Sequence, residues 1–327
     1  NRHIPLKKKL VITHQLIKHT LPFIARIAIT LYDSKTSYLK TFINSDDSDD
    51  SFDHYQTLID DAPSLKHVME SGAPRVINKL VTMEENSKEH TIRIGRSGYA
   101  ASYTIPFFNK GDFLGFIFFN SFDPDVFTDQ KCAQIDIYGH MIALMIINEL
   151  SNINTLTAAL KTTTKIAHMR DPETGSHLDR MSRYSRLIAF EIADEYGLED
   201  DYIEYIFMFS PLHDIGKVAI PDSILLKPGK LDDEEIEIMR SHTVKGRAII
   251  DEMLSNFGLE NIDHKDVLRN IVEYHHEAIN GTGYPSGLTG NEIPLEARIV
   301  AVADVFDALT SARAYKPAWT NEDAYQF

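Results

Sequence analysis

Between positions 173 and 304 the chain sets out eight side chains able to ligate a metal: Glu173, His177, His213, Asp214, His242, His275, His276 and Asp304. Five imidazoles and three carboxylates are too many for one ion and suit two or three. Borderline nitrogen mixed with hard oxygen favours Fe, Mn, Zn or Co over Ca or Mg. A cluster of such ions suits one reaction above others, hydrolysis of a phosphate ester by an activated water.

The spacing of these residues carries further information. Glu173 and His177 stand four apart, which on a helix places both on one face. The pair alone carries little, because Glu and His at this spacing are common on solvated helices. His213 and Asp214 are adjacent, so on a helix they point about 100° apart. They cannot grip one ion as an i, i+4 pair does, but they can reach two neighbouring ions, with the Asp214 oxygens between them. Lys217 follows one turn later and places an ammonium where a phosphate would want it; its bland alternative is a surface cation. His242 alone is unremarkable. His275-His276 just before a Gly/Pro loop is a less common pair. Asp304 is a carboxylate in an otherwise apolar helix and needs a partner if buried. Asp307 is its rival, and the flanking Ala303 and Val305 favour burial of Asp304.

The elements that must hold these residues are helical. From residue 166 to 327 the pattern is nearly all helix, with helical periodicity at 187–196, 233–254, 266–276 and 298–311. Loops with Pro and Gly at 220–229 and 280–294 fall between helices. Residues 128–168 contain no Pro and one Gly, and Ile142, Ile146, Leu150, Ile153, Leu156 and Leu160 form one stripe on a long helix. Such a stripe either pairs with a second copy in a parallel coiled coil or packs on its own domain.

The first 130 residues read as α/β. Residues 7–19 have helical spacing, 24–32 and 38–43 fit paired strands, and 44–53 is an acidic solvated loop. A short helix at 64–71 ends at Gly72. Two apolar strands, 99–108 and 113–121, meet at Asn109-Lys110-Gly111-Asp112, a short hairpin loop. This order, with the segment from Ser64 to Pro74, resembles a GAF sensor domain over about residues 5–147. That family binds varied small ligands or only dimerises. Cys132 reads as a small buried hydrophobe rather than a chromophore anchor.

Composition bounds the rest. At 327 residues, 43% hydrophobic and 25% charged, the chain has material for two soluble domains. One cysteine excludes an internal disulfide framework and fits a reducing compartment. A net charge of −15 disfavours non-specific binding to DNA or anionic membranes. No apolar run approaches the roughly 20 residues that span a bilayer. The sequence starts without Met and stops within an expected helix, so it reads as a fragment.

The C-terminal motifs resemble the HD-GYP branch of the HD-domain phosphohydrolases. His213-Asp214 with Lys217, His275-His276-Glu277 and Gly281-Thr282-Gly283-Tyr284-Pro285 carry the likeness. So do Ile220-Pro221-Asp222, the run from Leu226 to Leu231, and the run from Ile293 to Val300; together they cover about 166–320. The resemblance implies a cytoplasmic bacterial phosphodiesterase that cuts cyclic di-GMP to pGpG, and in some members on to GMP. It implies metal positions at His213, Asp214, His242, His275, His276 and Asp304, with His177 beside them. Glu173 implies a third ion, with iron favoured and manganese or another divalent transition metal as substitutes. It also implies Asp171 as a partner orienting a ligand histidine, Lys217, Arg313 and Lys316 as phosphate contacts, and catalytic roles for Asp214 and Lys217. Gly281, Gly283, Tyr284 and Pro285 form a loop near the cleft, one possible surface for the cyclases that make the messenger. The glycines are expected to allow positive φ there. Ile279-Asn280 departs from the family, which often has an aromatic and Asp at those positions.

The expected architecture is therefore an α/β GAF-like N-terminal domain plus an all-α HD-type helical domain, joined by a long helix. Its segments are a sensor at 1–130, a linker and dimerisation helix at 131–165 and a catalytic domain at 166–327, in a homodimer. The competing readings are a receptor that binds the dinucleotide without cutting it, and a phosphohydrolase of a different cyclic dinucleotide.

Overall fold

In the N-terminal half, alternation of side chains along extended segments builds one antiparallel sheet. The computed structural model describes residues 4–46, 54–79, 98–167, 175–311 and 318–326. Helix α1 (Leu6–Thr20) precedes strands β1 (Arg26–Asp33), β2 (Tyr38–Asn44) and β3 (Gln56–Leu58). Helix α2 (Pro63–Ser71) follows, then β4 (Arg75–Ile77), β5 (Ala101–Asn109) and β6 (Asp112–Ser121). The sheet order is β3-β2-β1-β6-β5-β4. Lys110 and Gly111 both take positive φ, which suits the tight hairpin between β5 and β6. The short strands β3 and β4 carry too few residues for a periodic signal and were not expected from the sequence. Odd-numbered residues of β1, Ile27 and Ile29, are fully buried on one face. Even-numbered Arg26, Ala28 and Thr30 therefore share the other. This is the α/β arrangement with an antiparallel sheet that the pattern predicted.

Helix α3 (Asp129–Ala167) is continuous over 39 residues. Ile142, Ile146, Leu150, Ile153 and Leu156 are buried within this one chain. Of the two fates expected for that stripe, packing on its own chain is the one realised; the side chain of Leu160 lies outside the described set. A different line on α3, Ile137, Met141 and Leu144, is exposed. Cys132, as expected, is buried.

The helical half contains α4 (Gly175–Glu191), α5 (Ala193–Tyr196), α6 (Asp200–Phe209) and two 3-10 turns, Ser210–Leu212 and Ile215–Ala219. Then come α7 (Asp222–Leu225), α8 (Asp233–Arg240), α9 (His242–Asn256), α10 (Lys265–Tyr274), α11 (Leu295–Thr310) and α12 (Asn321–Tyr325). The periodicity at 233–254, read as one helix, is broken at Ser241 into α8 and α9. Asp232 and Glu235 form a reciprocal capping box that starts α8. Helix α10 buries Val267, Leu268, Ile271 and Val272, one apolar face repeating at four. Each contributes about 1.5–3 kcal/mol by leaving water. Helix α4 packs on α11, α10 on α9 and α11, and α9 on the turn Ile215–Ala219. The chain divides into two compact units, Asn1–Leu150 with Glu199–Asp201, and Ser151–Leu198 with Tyr202–Phe327.

Candidate metal centre

His213 and Asp214 do not lie on a helix. They form the joint between the two 3-10 turns, His213 closing the first and Asp214 opening the second. Gly216 lets that joint press against the start of α9. A Cβ there would sit 1.8 Å from the His242 carbonyl oxygen and 2.5 Å from the Gly246 amide nitrogen. Only glycine permits this approach, which carries Asp214 Oδ1 to 3.2 Å from His242 Nε2. His177 comes from the first turn of α4, Asp304 from α11, and His275 and His276 from the end of α10.

The side chains gather as two sets. Potential ligand atoms of Asp214, His242, His275 and His276 lie within 4.8 Å of one another, and those of His177, His213 and Asp304 do the same. Asp214 lies between the sets, with Oδ2 3.2 Å from His213 Nε2 and Oδ1 3.7 Å from His275 Nε2. Asp304 Oδ1 stands 3.8 Å from His177 Nε2 and 3.9 Å from His213 Nε2.

Hydrogen bonding fixes the state of four imidazoles. Nδ1 of His213 donates to the Ser210 carbonyl at 2.9 Å, of His242 to Met239 at 2.8 Å, and of His275 to Ile271 at 3.0 Å. His177 Nδ1 donates to Asp307 Oδ2 at 2.6 Å. In the neutral ring, with the proton on Nδ1, each Nε2 presents a lone pair. Those four Nε2 atoms and Asp214 Oδ1 are buried and have no hydrogen-bond partner. Five orphaned acceptors converging on one place is costly unless a cation sits among them. The donor set fits divalent transition metals.

A sequence profile of the HD domain matches residues 161–327. The chain belongs to the HD-domain family. It is 47% identical over 158 residues to the cyclic di-GMP phosphodiesterase response regulator RpfG of Xanthomonas campestris pv. campestris (strain 8004), covering 48% of this chain and 39% of that protein. It is 39% identical over 206 residues to 3'3'-cGAMP-specific phosphodiesterase 2 of Vibrio cholerae serotype O1, covering 59% and 37%. A cyclic di-GMP phosphodiesterase of Thermotoga maritima is 33% identical over 270 residues, 83% of this chain and 64% of that one. The chain thus spans less than two thirds of each of these relatives. Among solved structures, a GAF domain/HD domain protein from Geobacter sulfurreducens aligns with 45% of this chain and 95% of that one, at 13% identity and TM-score 0.36.

The electrostatics of the HD domain follow from this packing. Burial opposes charge on His213, but Asp214 and Asp304 outweigh it and raise its pKa to about 9. His276 is pushed down to about 2, by burial and then by His275. Asp214 is itself buried, yet Lys217 and His213 hold its carboxyl well below the ordinary range. Lys217 Nζ lies 2.6 Å from Asp214 Oδ2. A histidine ligates only when neutral, so His213 would have to lose its proton to hold a cation.

One expectation needs correction. Asp304 was favoured over Asp307 as the buried carboxylate, but the α11 positions that turn inward are Val300, Ala303 and Asp307, three and four apart. Val305 is 46% exposed and Asp304 is half-buried. Asp304 nevertheless joins the cluster, while Asp307 stands behind it. Asp307 holds His177 and is bound in turn by Arg180, Nε at 2.6 Å and Nη2 at 3.0 Å. Burial opposes its charge, but His177 and Arg180 outweigh it and bring its pKa to about 2. At His177, an expected ligand, Asp307 holds the ring in place. The salt bridge across 130 positions left no signal in either local sequence. Asp171, Glu173, Arg313 and Lys316 lie outside the described residues.

The loop after His276 also differs in its reasons. Gly281 takes φ +76° as expected, but Gly283 does not take positive φ. Gly283 is required because a Cβ would lie 2.2 Å from the Ala278 amide nitrogen. Glu277, not singled out as a site residue, is buried and accepts from the amides of Ser286 at 2.7 Å and Leu288 at 3.0 Å. The loop thereby returns Tyr284, whose ring centroid stands 4.8 Å from that of His276 and 5.3 Å from the Arg240 guanidinium.

Proposed function

We propose that the chain is a metal-dependent phosphodiesterase that hydrolyses cyclic di-GMP to pGpG, with GMP as the product of any second cut. The observation that carries this is the convergence of five orphaned acceptors beside a lysine ammonium. His177, His213 and Asp304 would hold one ion and Asp214, His242, His275 and His276 another, with Asp214 shared. Glu173 would complete a third position, and iron is the favoured metal, with manganese as a substitute. Bound there, the ions supply Lewis acidity and make water acidic enough to attack phosphorus at neutral pH.

The chain's own groups do the rest. The Nδ1 hydrogen bonds hold the imidazoles in the ligating tautomer, and Asp214 presents its two oxygens to the two sets. Attack by water on phosphorus breaks the P–O3′ bond and leaves a 5′-phosphate on the opened chain. Lys217, with Arg313 and Lys316, offsets the charge that gathers on the phosphoryl oxygens. Tyr284 forms a wall against His276, which shields the site from solvent. The same chain is proposed to act in the bacterial cytoplasm as a homodimer. The exposed line Ile137, Met141 and Leu144 is the α3 surface that supports self-association. The loop around Tyr284 is the proposed contact for a cyclase. No helix among the described residues is long and apolar enough to cross a membrane.

A second reading, hydrolysis of 3'3'-cGAMP, is favoured by the named specificity of one relative. Incubating anaerobically purified, Fe(II)-loaded protein with each dinucleotide and separating the products tests both. Linear product from cyclic di-GMP, absent with the His213→Ala/Asp214→Ala chain, is the expected result. Faster turnover of 3'3'-cGAMP would select the second reading. Intact substrate that co-elutes with the protein would replace both with a receptor.

A further inference from the structure

The sheet unit contains a pocket that is open to solvent at its mouth. It is lined by one face of the sheet, where alternation and register bring together Arg26, Thr30, Arg75 and Phe118, with Tyr55 and Tyr99 beside them. The chain has 48 acidic residues against 33 lysines and arginines, yet no carboxylate among the described residues lines this cavity, while two guanidiniums do.

Arg75 is the decisive residue. Its Nη1 donates to Ser64 Oγ at 2.6 Å and its Nη2 to Thr104 Oγ1 at 3.2 Å. Both partners are neutral hydroxyls. Its Nε is buried and without a partner, as is Thr30 Oγ1. Burial lowers the Arg75 pKa to about 10, which leaves it charged at neutral pH. A charge drawn from water beside only neutral hydroxyls is incompletely compensated. The remaining walls combine apolar and aromatic side chains with the neutral polar groups of Thr41, Thr57, Ser102 and Asn120.

We propose that this cavity binds a small organic anion, an apolar or aromatic body bearing one carboxylate or phosphate group, with Arg75 as charge partner and Thr30 as hydroxyl contact. The anion pairs with the Arg75 guanidinium, and the tyrosines and Phe118 cover the body. Two sources of the oxyanion, a carboxylate and a phosphate monoester, share this chemistry and are separated by the test.

Fluorine NMR titration of the full chain with 4-fluorobenzoate, 4-fluorophenyl phosphate and neutral 4-fluorobenzamide provides it. At least one anion is expected to bind and the amide is not; which anion binds names the source. Running the same titration on the His213→Ala/Asp214→Ala chain removes any contribution from the metal centre and should change nothing. Arg75→Gln is expected to weaken binding by about 10-fold or more, the usual cost of a charged hydrogen bond. Thr30→Val, which keeps shape and strand preference, should weaken it by roughly 3-fold. Equal binding of the amide, unchanged affinity in Arg75→Gln, or no binding of either anion at millimolar concentration would overturn the proposal. If Arg75→Gln fails to fold by circular dichroism, Thr30→Val and the benzoate–benzamide comparison decide it.

Discussion

The two units each hold a place where buried polar atoms are left unpartnered, and the two places differ in kind. In the helical unit the atoms that converge on one place are acceptors, four imidazole lone pairs and one carboxylate oxygen, while Arg298 Nε is unpartnered elsewhere in it. In the sheet unit they include a guanidinium N–H and a hydroxyl, Arg75 Nε and Thr30 Oγ1. Leaving such groups unpaired is costly in either place. The atom type therefore states what each unit lacks: a cation in the first, an anion in the second. The same bookkeeping of hydrogen bonds gives opposite ligands, without reference to any family.

Chelation should separate the two units most sharply. Removing metal is expected to abolish turnover. At an ion concentration 1,000 times the dissociation constant, it also removes about 4 kcal/mol of binding free energy from the folded helical unit. That corresponds to a drop of roughly 8–16 °C in its unfolding midpoint, read by calorimetry with and without added ion. Binding of the fluorinated anions to the sheet unit should be unaffected. A midpoint that ignores the chelator would break the contrast.

Lys217→Met comes next. Losing one stabiliser of transition-state charge is expected to lower kcat by about 10²–10³-fold. Metal content, measured by plasma mass spectrometry, should be retained. If metal falls with activity, the Lys217–Asp214 pair supports the ion site rather than the phosphate.

Asp307→Asn tests support from behind the ligands. It keeps the shape at His177 but loses the carboxylate's charge and its bidentate pairing with Arg180. Metal affinity is expected to fall about 10–100-fold, as for other partners of ligand histidines. Asp307 is remote from the phosphate, so kcat of the fully loaded enzyme should change little. An unchanged metal titration would reduce Asp307 to an interhelical salt bridge.

Glu277→Gln should have the smallest effect. The amide has one carbonyl oxygen in place of two carboxylate oxygens, so one of the Ser286 and Leu288 amides loses its acceptor. A cost of about 1 kcal/mol is expected, seen as a several-fold rise in KM with kcat nearly kept. A fall in kcat alone would instead place the loop in the chemical step.

The candidate metal centre was legible early because His and Asp are chemically distinctive and stand in short motifs. His213-Asp214 and His275-His276 needed no structure to attract notice. Asp307 was visible only as a rival, since burial was judged from its neighbours in sequence rather than from the inward line of α11. Gly283 shows the same limit: its type was noticed, but the reason is contact with the backbone of Glu277 and Ala278, not its own φ. Glu277 drew notice only as part of a motif, because a carboxylate that holds loop amides looks like any other acid in the sequence. The anion cavity was not legible at all. Arg26, Thr30 and Arg75 are unremarkable residues on separate stretches, and only strand register brings them to one wall.

Sequence alone indicated the two kinds of architecture, through short apolar, β-branched and aromatic runs in the first half and helical periods in the second. It also determined which residue types could hold an ion. Tertiary structure decided which lone pairs remain free, which carboxylate stands in the cluster and which behind it, and where a positive charge is left without an anion. Periodicity is a local property carried by neighbouring residues. Satisfaction of a buried polar group depends on partners up to 130 positions away, and their meeting is fixed only when the elements pack.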